Sequence, residues 1–344
     1  MKQHVIYVQW TNNFGGLEKI TCDYERYITK YSPKVLILKY NINGIKYKNE
    51  IRFRIKKPTI FLYLLYIQKV WKFRNSIFHL NNATLKILLA TYIAGGRKIV
   101  YHFHGTRFPS DIFQRVVWKF FHKKINIIGN SNYVNTLINN KLKISEKLYL
   151  IPNLIDIEHF KFHTRQKHHP FIITYAGRFT VGKNIDKIIQ IAKILQGVDN
   201  NITFKLYGEG PEKDEIKRLV ELYNLHDSVN IYGFSENIFE VYKESNLFLF
   251  LSSHESFGNV VAEAIFSGTP VLCLKIPALE DLIKDNSFFV NTLDTKIIAK
   301  EILRFINDYD EVNLRLANVH DSLKKYLDNN SIIKRLESLY KTLL

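Results

Sequence analysis

The chain has 344 residues, 46% of them hydrophobic, with 15 Gly, 8 Pro and a formal net charge of +17. That length exceeds one ordinary hydrophobic core and suits two domains, and the composition speaks against a disordered or fibrous chain. Its apolar runs fall short of the roughly 18 residues a membrane span needs. The two cysteines, Cys22 and Cys273, lie far apart in apolar contexts, which disfavours a disulfide framework or a zinc cluster and fits a reducing cytoplasm.

Met1–Trp10 holds one lysine and a short apolar stretch with no small-residue cleavage site behind it, so it reads as a first strand and not as a signal peptide. Further β-branched and aromatic runs alternate with helical stretches. In the first half these strands are His4–Gln9, Lys34–Tyr40, Ser76–Leu80, Lys98–His104, Asn126–Ser131 and Lys147–Pro152. In the second they are Ile172–Gly177, Ile202–Tyr207, Val229–Tyr232, Leu247–Leu251 and Pro270–Leu274. The alternation predicts an α/β architecture of two doubly wound parallel sheets. Such sheets take ligands at the carboxyl ends of their strands, so two of them facing each other would form an interdomain cleft.

The loop after the first strand, Asn12-Asn13-Phe14-Gly15-Gly16-Leu17-Glu18, opens a helix, and paired glycines there allow close backbone approach to a phosphate. The dinucleotide fingerprint G-x-G-x-x-G is absent, which disfavours a nicotinamide or flavin enzyme. Cations and aromatics interleave over Ile51–Arg74 and again over Phe113–Lys124, where Trp118, Phe120 and Phe121 neighbour Arg115, Lys119, Lys123 and Lys124. Residues 1–170 carry 29 Lys and Arg against 8 Asp and Glu, whereas residues 171–344 carry 20 against 24. A basic, aromatic first half suits an anionic membrane surface. A nucleic acid would meet the same charge, although no recognised binding motif accompanies it. At the end of a strand, His102 and His104 alternate onto one side, where a packed or hydrogen-bonded histidine is the ordinary outcome and a site residue the functional one.

The polar stretch His159–Pro170 reads as a solvated linker. After the next strand, Gly177-Arg178-Phe179-Thr180-Val181-Gly182-Lys183 offers two cations on a glycine-containing loop, a combination that suits a diphosphate. Further on, Glu255-Ser256-Phe257-Gly258-Asn259-Val260-Val261-Ala262-Glu263 runs from a buried strand into a helix predicted to start near Gly258. Free backbone N–H groups and the positive helix end favour an anion there. Glu255 and Glu263 flank it as acceptors for the hydroxyl groups of a sugar and a ribose.

In register, these motifs resemble family 4 of the glycosyltransferases over nearly the whole chain. Gly15-Gly16-x-Glu18 matches the family's N-terminal glycine loop, His104 its active-site histidine, and Pro152-Asn153-x-Ile155-Asp156 its interdomain motif. Gly177-Arg178 with Lys183 resembles the phosphate clamp, Gly208-Glu209-Gly210-Pro211 the Gly-x-Gly-Pro loop, Glu255–Glu263 the E-x₇-E motif, and Gly268-Thr269-Pro270-Val271 the segment after it. Leu154, in place of a glycine, and Lys275–Ala278, in place of a Gly-Gly pair, depart from the pattern.

The resemblance implies the GT-B fold, with two facing Rossmann-like domains. Residues 1–160 would form a basic, membrane-facing acceptor domain, residues 161–330 a donor domain, and residues 331–344 a helix crossing back to the first. Glu255 would bind donor-sugar hydroxyls, Glu263 the ribose, and Arg178 with Lys183 the diphosphate, aided by amides of Gly15, Gly16, Phe257, Gly258 and Asn259. His104 would contact the sugar near its anomeric centre. Transfer would be retaining, with no metal or other cofactor beyond the nucleotide-sugar donor. The implied activity is transfer of a hexose or N-acetylhexosamine from a UDP-sugar to a lipid-linked oligosaccharide in capsule, O-antigen or lipooligosaccharide synthesis, at the inner face of the cytoplasmic membrane and with no nucleic-acid partner. The alternatives are a nucleotide-sugar 2-epimerase of the same fold, a nucleic-acid-binding protein using the basic half, and a catalytically silent carbohydrate-binding homologue.

Overall fold

The structure, a computed structural model, describes residues 3–13, 16–53, 60–106, 108, 112–235 and 237–344. Two compact units emerge, Met1–Ile155 together with Leu327–Leu344, and Asp156–Tyr326. These divisions lie a few residues before the boundaries at 160 and 330 read from the sequence.

In the first unit the elements are β1 (His4–Thr11), α1 (Gly16–Tyr27), β2 (Ser32–Lys39), β3 (Glu50–Arg52), α2 (Ile60–Lys72), β4 (Ile77–Asn81), α3 (Leu85–Ile93), β5 (Lys98–Phe103), α4 (Ile112–Phe121), β6 (Asn126–Gly129), α5 (Asn132–Leu142) and β7 (Leu148–Leu150). Its seven strands are parallel in the order β3-β2-β1-β4-β5-β6-β7. Strands β4 and β6 are buried along their whole length, as a parallel sheet covered on both faces requires. The three-residue β3 was not foreseen: its charged ends Glu50 and Arg52 suit an edge strand but mask a strand pattern.

Helix α2 buries Leu62, Tyr66 and Val70, four residues apart on one face, and exposes Leu64, Leu65 and Trp71. Helix α4 buries Trp118 and exposes Val116 and Phe120. Cations neighbour the exposed rings, with Lys124 Nζ 3.5 Å from the Phe120 ring centre and the Arg74 guanidinium 4.7 Å from that of Trp71. Positions 54–59 of the cationic stretch lie outside the described residues. Among the described residues no helix is long and apolar enough to cross a membrane.

The second unit comprises β8 (Phe171–Ala176), α6 (Ile185–Gln196), β9 (Ile202–Tyr207), α7 (Lys213–Leu222), β10 (Val229–Tyr232), α8 (Ile238–Lys243), β11 (Leu247–Phe250), α9 (Asn259–Phe266), β12 (Val271–Leu274), α10 (Pro277–Glu280), β13 (Phe289–Val290), α11 (Thr295–Asn307) and α12 (Tyr309–Tyr326). Its parallel sheet runs β10-β9-β8-β11-β12-β13. The two-residue β13 is too short to leave a pattern in the sequence. The chain ends in α13 (Asn329–Lys341), which belongs to the first unit. Asp328 caps it by accepting from the Ser331 N–H at 2.8 Å, and the Asn329 side chain donates to the Ile155 carbonyl at 2.7 Å.

The reading of His159–Pro170 as a solvated linker is corrected in part: most of its residues are exposed, but the stretch is fastened to the second unit. Phe160 is buried against Phe239 and Tyr242, and the Phe162 ring lies tilted against His320 with 4.3 Å between ring centres. Arg165 donates to the carbonyl of Ser267, the residue closing α9, and Lys167 to that of Ile306 in the last turn of α11 at 2.9 Å. Of the two alternating aromatics Phe160 is buried and Phe162 half-buried, while the cations after them donate to carbonyls at two helix ends. The stretch is a strap on the second unit, which is why the division falls before it.

Candidate functional site

In the second sheet the strand order reverses between β8 and β11, the place where open α/β sheets take ligands. The loop after β8 is fastened on both sides. Gly177 N–H donates to the Tyr207 carbonyl at 3.0 Å, Phe179 N–H to that of Glu209 at 2.9 Å, and Glu212 N–H back to that of Phe179 at 3.2 Å. Glycine is required for this closeness, since a Cβ at Gly208 would overlap the Gly177 carbonyl oxygen and one at Gly210 that of Phe179. On the other side Asn184, in the left-handed region at φ 55°, donates its amide to the Leu251 carbonyl and the Ser253 hydroxyl, each at 2.7 Å. Ser253 N–H donates to the Gly182 carbonyl at 2.9 Å.

The result of this clamping is an ion pair across the two loops between Lys183 Nζ and Glu255 Oε1, with the side chains only 20% and 16% exposed. Lys183 also lies 5.2 Å from the Phe250 ring centre. Phe257 is buried and anchors the turn. Gly258 follows at φ 99° as the residue before α9, with a Cβ there overlapping Leu279. Asn259 is the first residue of the helix. Arg178 is exposed on the β8 loop, its carbonyl accepting from the Tyr175 hydroxyl at 3.2 Å. Glu263 is buried in α9, where Oε2 accepts from the Tyr242 hydroxyl at 3.3 Å. The two predicted carboxylates thus have different settings, one paired with a lysine at the loops and one hydrogen-bonded within the unit.

The first sheet reverses its order between β1 and β4. Gly16 is the first residue of α1, whereas Gly15 lies outside the described residues. His104 follows β5 directly, with Nε2 3.3 Å from Asn81 Oδ1. Burial pushes its imidazole down to about 3, a shift that a hydrogen bond with Asn153 opposes only in part, so it is neutral at physiological pH. The His102 ring packs 3.8 Å from that of His104, and His79 Nε2 lies 3.2 Å from His102 Nδ1. His79, Asn81 and the Asn153 hydrogen bond were not singled out from the sequence as site features. Their signal is polar side chains at alternate positions in an apolar strand, Ile77-Phe78-His79-Leu80-Asn81. Leu154, the departure from the family pattern, is buried in this unit. A surface groove of about 570 Å³ between β7 and α13 contains none of the predicted site residues.

Residues 156–320 match the family model described as Glycosyl transferases group 1. This segment, just under half of the chain, is similar to the group 1 glycosyltransferases. It carries Arg178, Lys183, Glu255 and Glu263. Over 193 residues, 53% of the chain, the sequence is 29% identical to the poly(ribitol-phosphate) alpha-N-acetylglucosaminyltransferase of Staphylococcus aureus and covers 39% of that protein. It is also 29% identical to the capsular polysaccharide biosynthesis glycosyltransferase CapM of the same species, over 51% of the chain and 47% of the relative. The chain therefore spans less than half the length of these relatives. In fold it resembles Anabaena HepE, solved in complex with UDP and glucose, with a TM-score of 0.81, 18% identity and coverage of 99% and 100%. The two Rossmann-like parallel-sheet units are those of the GT-B fold.

Proposed function

We propose that the protein transfers a sugar from a UDP-sugar donor to a lipid-linked glycan in the synthesis of a cell-surface polysaccharide, with retention of anomeric configuration and without a metal. The observation that carries this reading is the Lys183–Glu255 pair at the strand-order reversal of a segment similar to the group 1 glycosyltransferases, directly ahead of α9. Its two halves have complementary tasks. Lys183, with Arg178, neutralises a diphosphate as it departs, while Glu255 accepts hydroxyl hydrogen bonds from the sugar; a nucleotide-sugar brings both groups to one place. The N–H groups opening α9 add positive potential, Glu263 takes the ribose, and His104 serves as a neutral hydrogen-bonding group.

The names of the S. aureus relatives support N-acetylglucosamine as the first sugar to screen and a surface polymer as the acceptor class. Retention and metal independence rest on the family resemblance. The membrane-facing role rests on Leu64, Trp71, Val116 and Phe120, exposed on helices that also carry cations. Incubation with UDP-N-acetylglucosamine and lipid-linked oligosaccharides should release UDP and yield an α-linked product, with chelator present or absent. Release of an isomerised nucleotide-sugar without acceptor would instead identify an epimerase. Flotation with anionic but not neutral liposomes is expected, and equal recovery in the soluble fraction under both conditions would refute the membrane contact.

A further inference from the structure

Strands β1, β4 and β5, with the residue that follows β5, carry polar side chains at alternate positions: Tyr7 and Gln9, His79 and Asn81, His102 and His104. The parallel registers Tyr7 with His79 and Asn81 with His102 set them side by side. Tyr24 of α1 and Tyr340 of α13 pack onto this row. The Tyr7 and Tyr340 hydroxyls are 3.2 Å apart, and Tyr340 OH lies 2.6 Å from His79 Nδ1. His79 Nε2 is 3.2 Å from His102 Nδ1, which also lies 3.5 Å from the Tyr24 hydroxyl. All five side chains are buried.

Burial drives both imidazoles well below their usual range and all three phenols above theirs. Each ring therefore carries one proton and each hydroxyl keeps its own, so the chain of bonds can point in only two directions. In one direction Tyr7 donates to Tyr340, Tyr340 to His79 Nδ1, and His79 Nε2–H to His102 Nδ1, which also accepts from Tyr24. In the other, the Tyr7 and Tyr24 hydroxyls both lose their acceptor among the described residues, and an unmet donor in a dry interior is costly. The first direction gives every hydroxyl and the His79 N–H an acceptor, with His102 Nδ1 shared between two donors, and leaves the His102 proton on Nε2 as the row's one donor without an acceptor among the described residues. That nitrogen is buried and meets no hydrogen-bond partner among the described residues, and its ring packs against His104.

We propose that Tyr7 and Tyr340 are positioning residues that fix the proton of His102 on Nε2, so that beside His104 His102 presents a buried N–H donor to an oxygen, either of an ordered water or of a substrate hydroxyl. The link to sugar transfer rests on the function proposed above, whereas the proton assignment stands without it. The last helix thereby sets the chemistry of a nitrogen it does not touch.

The test is imidazole ¹H–¹⁵N correlation spectroscopy on the full chain labelled with ¹⁵N-histidine, the two rings being assigned with His79→Gln and His102→Gln. Without ligand, His79 and His102 should both be protonated on Nε2 alone. Tyr340→Phe keeps the ring and removes the donor, so protonation at Nδ1 should appear in both histidines. Tyr7→Phe, a milder change one link away, should move them in the same direction and serves if Tyr340→Phe does not fold. Protonation of His102 on Nδ1 in the unaltered protein, or tautomers unmoved by both substitutions, overturns the proposal. A His102 Nε2–H resonance that shifts on adding UDP-N-acetylglucosamine assigns the oxygen to substrate, and one that stays put and shows a contact with water assigns it to water. Absence of sugar transfer with the expected tautomers would count against the proposed function and leave this assignment standing.

Discussion

Replacing His104 with asparagine should make the first unit less sensitive to acid, by an amount the structure sets. Burial lowers the imidazole from 6.5 to about 3 in the folded chain, so between these values the unfolded state binds a proton that the folded state refuses. Stability contributed by the neutral ring is present above the unfolded value and is lost as pH falls toward the folded one. At about pH 5 the ring lies about 1.5 units below its unfolded midpoint, which corresponds to a loss of about 2 kcal/mol relative to about pH 7.5. His79 and His102 shift in the same direction chiefly through burial, which the variant keeps, so that part cancels in the comparison, and the smaller part that His104 contributes to their shifts is lost with it. All three tryptophans, Trp10, Trp71 and Trp118, belong to the first unit, so their fluorescence during urea unfolding reports that unit. The unaltered chain should lose about 2 kcal/mol more than His104→Asn between the two pH values. Equal losses would refute the burial argument.

The Lys183–Glu255 pair should show coupling: removing either partner leaves a partly buried charge and should cost about 1–2 kcal/mol by hydrogen exchange in the second unit, and removing both less than the sum. Strict additivity would mean that the pair contributes nothing. Gly208→Ala should destabilise the same unit by about 1–3 kcal/mol through overlap with the Gly177 carbonyl. Gly182→Ala, whose Cβ would meet only His254 Nδ1 at 3.6 Å, should stay within about 0.5 kcal/mol. Phe160→Ala should lower the stability of the second unit by about 3 kcal/mol in thermal unfolding, because the ring is buried; a solvated linker would lose almost nothing.

Both sheets were legible because parallel strands buried on both faces, such as Leu247–Phe250, leave apolar runs that no surface segment imitates. Edge strands escaped for the opposite reason: Glu50–Arg52 pairs with the sheet on one side only, and its charged ends, which pair with each other, interrupt the apolar pattern. The strap over His159–Pro170 was misread because its composition is that of a solvated segment. Only the alternation of Phe160 and Phe162 betrays burial, and the carbonyls that Arg165 and Lys167 serve lie about a hundred residues or more away in the chain. In the site, spacing along the chain revealed Lys183 and Glu255 as candidates, but their meeting depends on Asn184 and Ser253 joining loops from two neighbouring strands. The histidine row was half visible. Alternation showed His102 and His104, while Tyr340 reaches His79 from 261 positions along the chain, a contact no local pattern encodes.

The most direct test of the account is calorimetric titration of the purified chain with UDP and with GDP, repeated on Arg178→Ala. Arg178 is exposed, so its removal should leave the fold intact. Binding of UDP in preference to GDP, weakened about tenfold by the substitution, or about 1.4 kcal/mol, is the expected result. Absence of binding to either nucleotide, or UDP binding that the substitution leaves unchanged, would contradict a diphosphate site on the loops that follow β8 and β11.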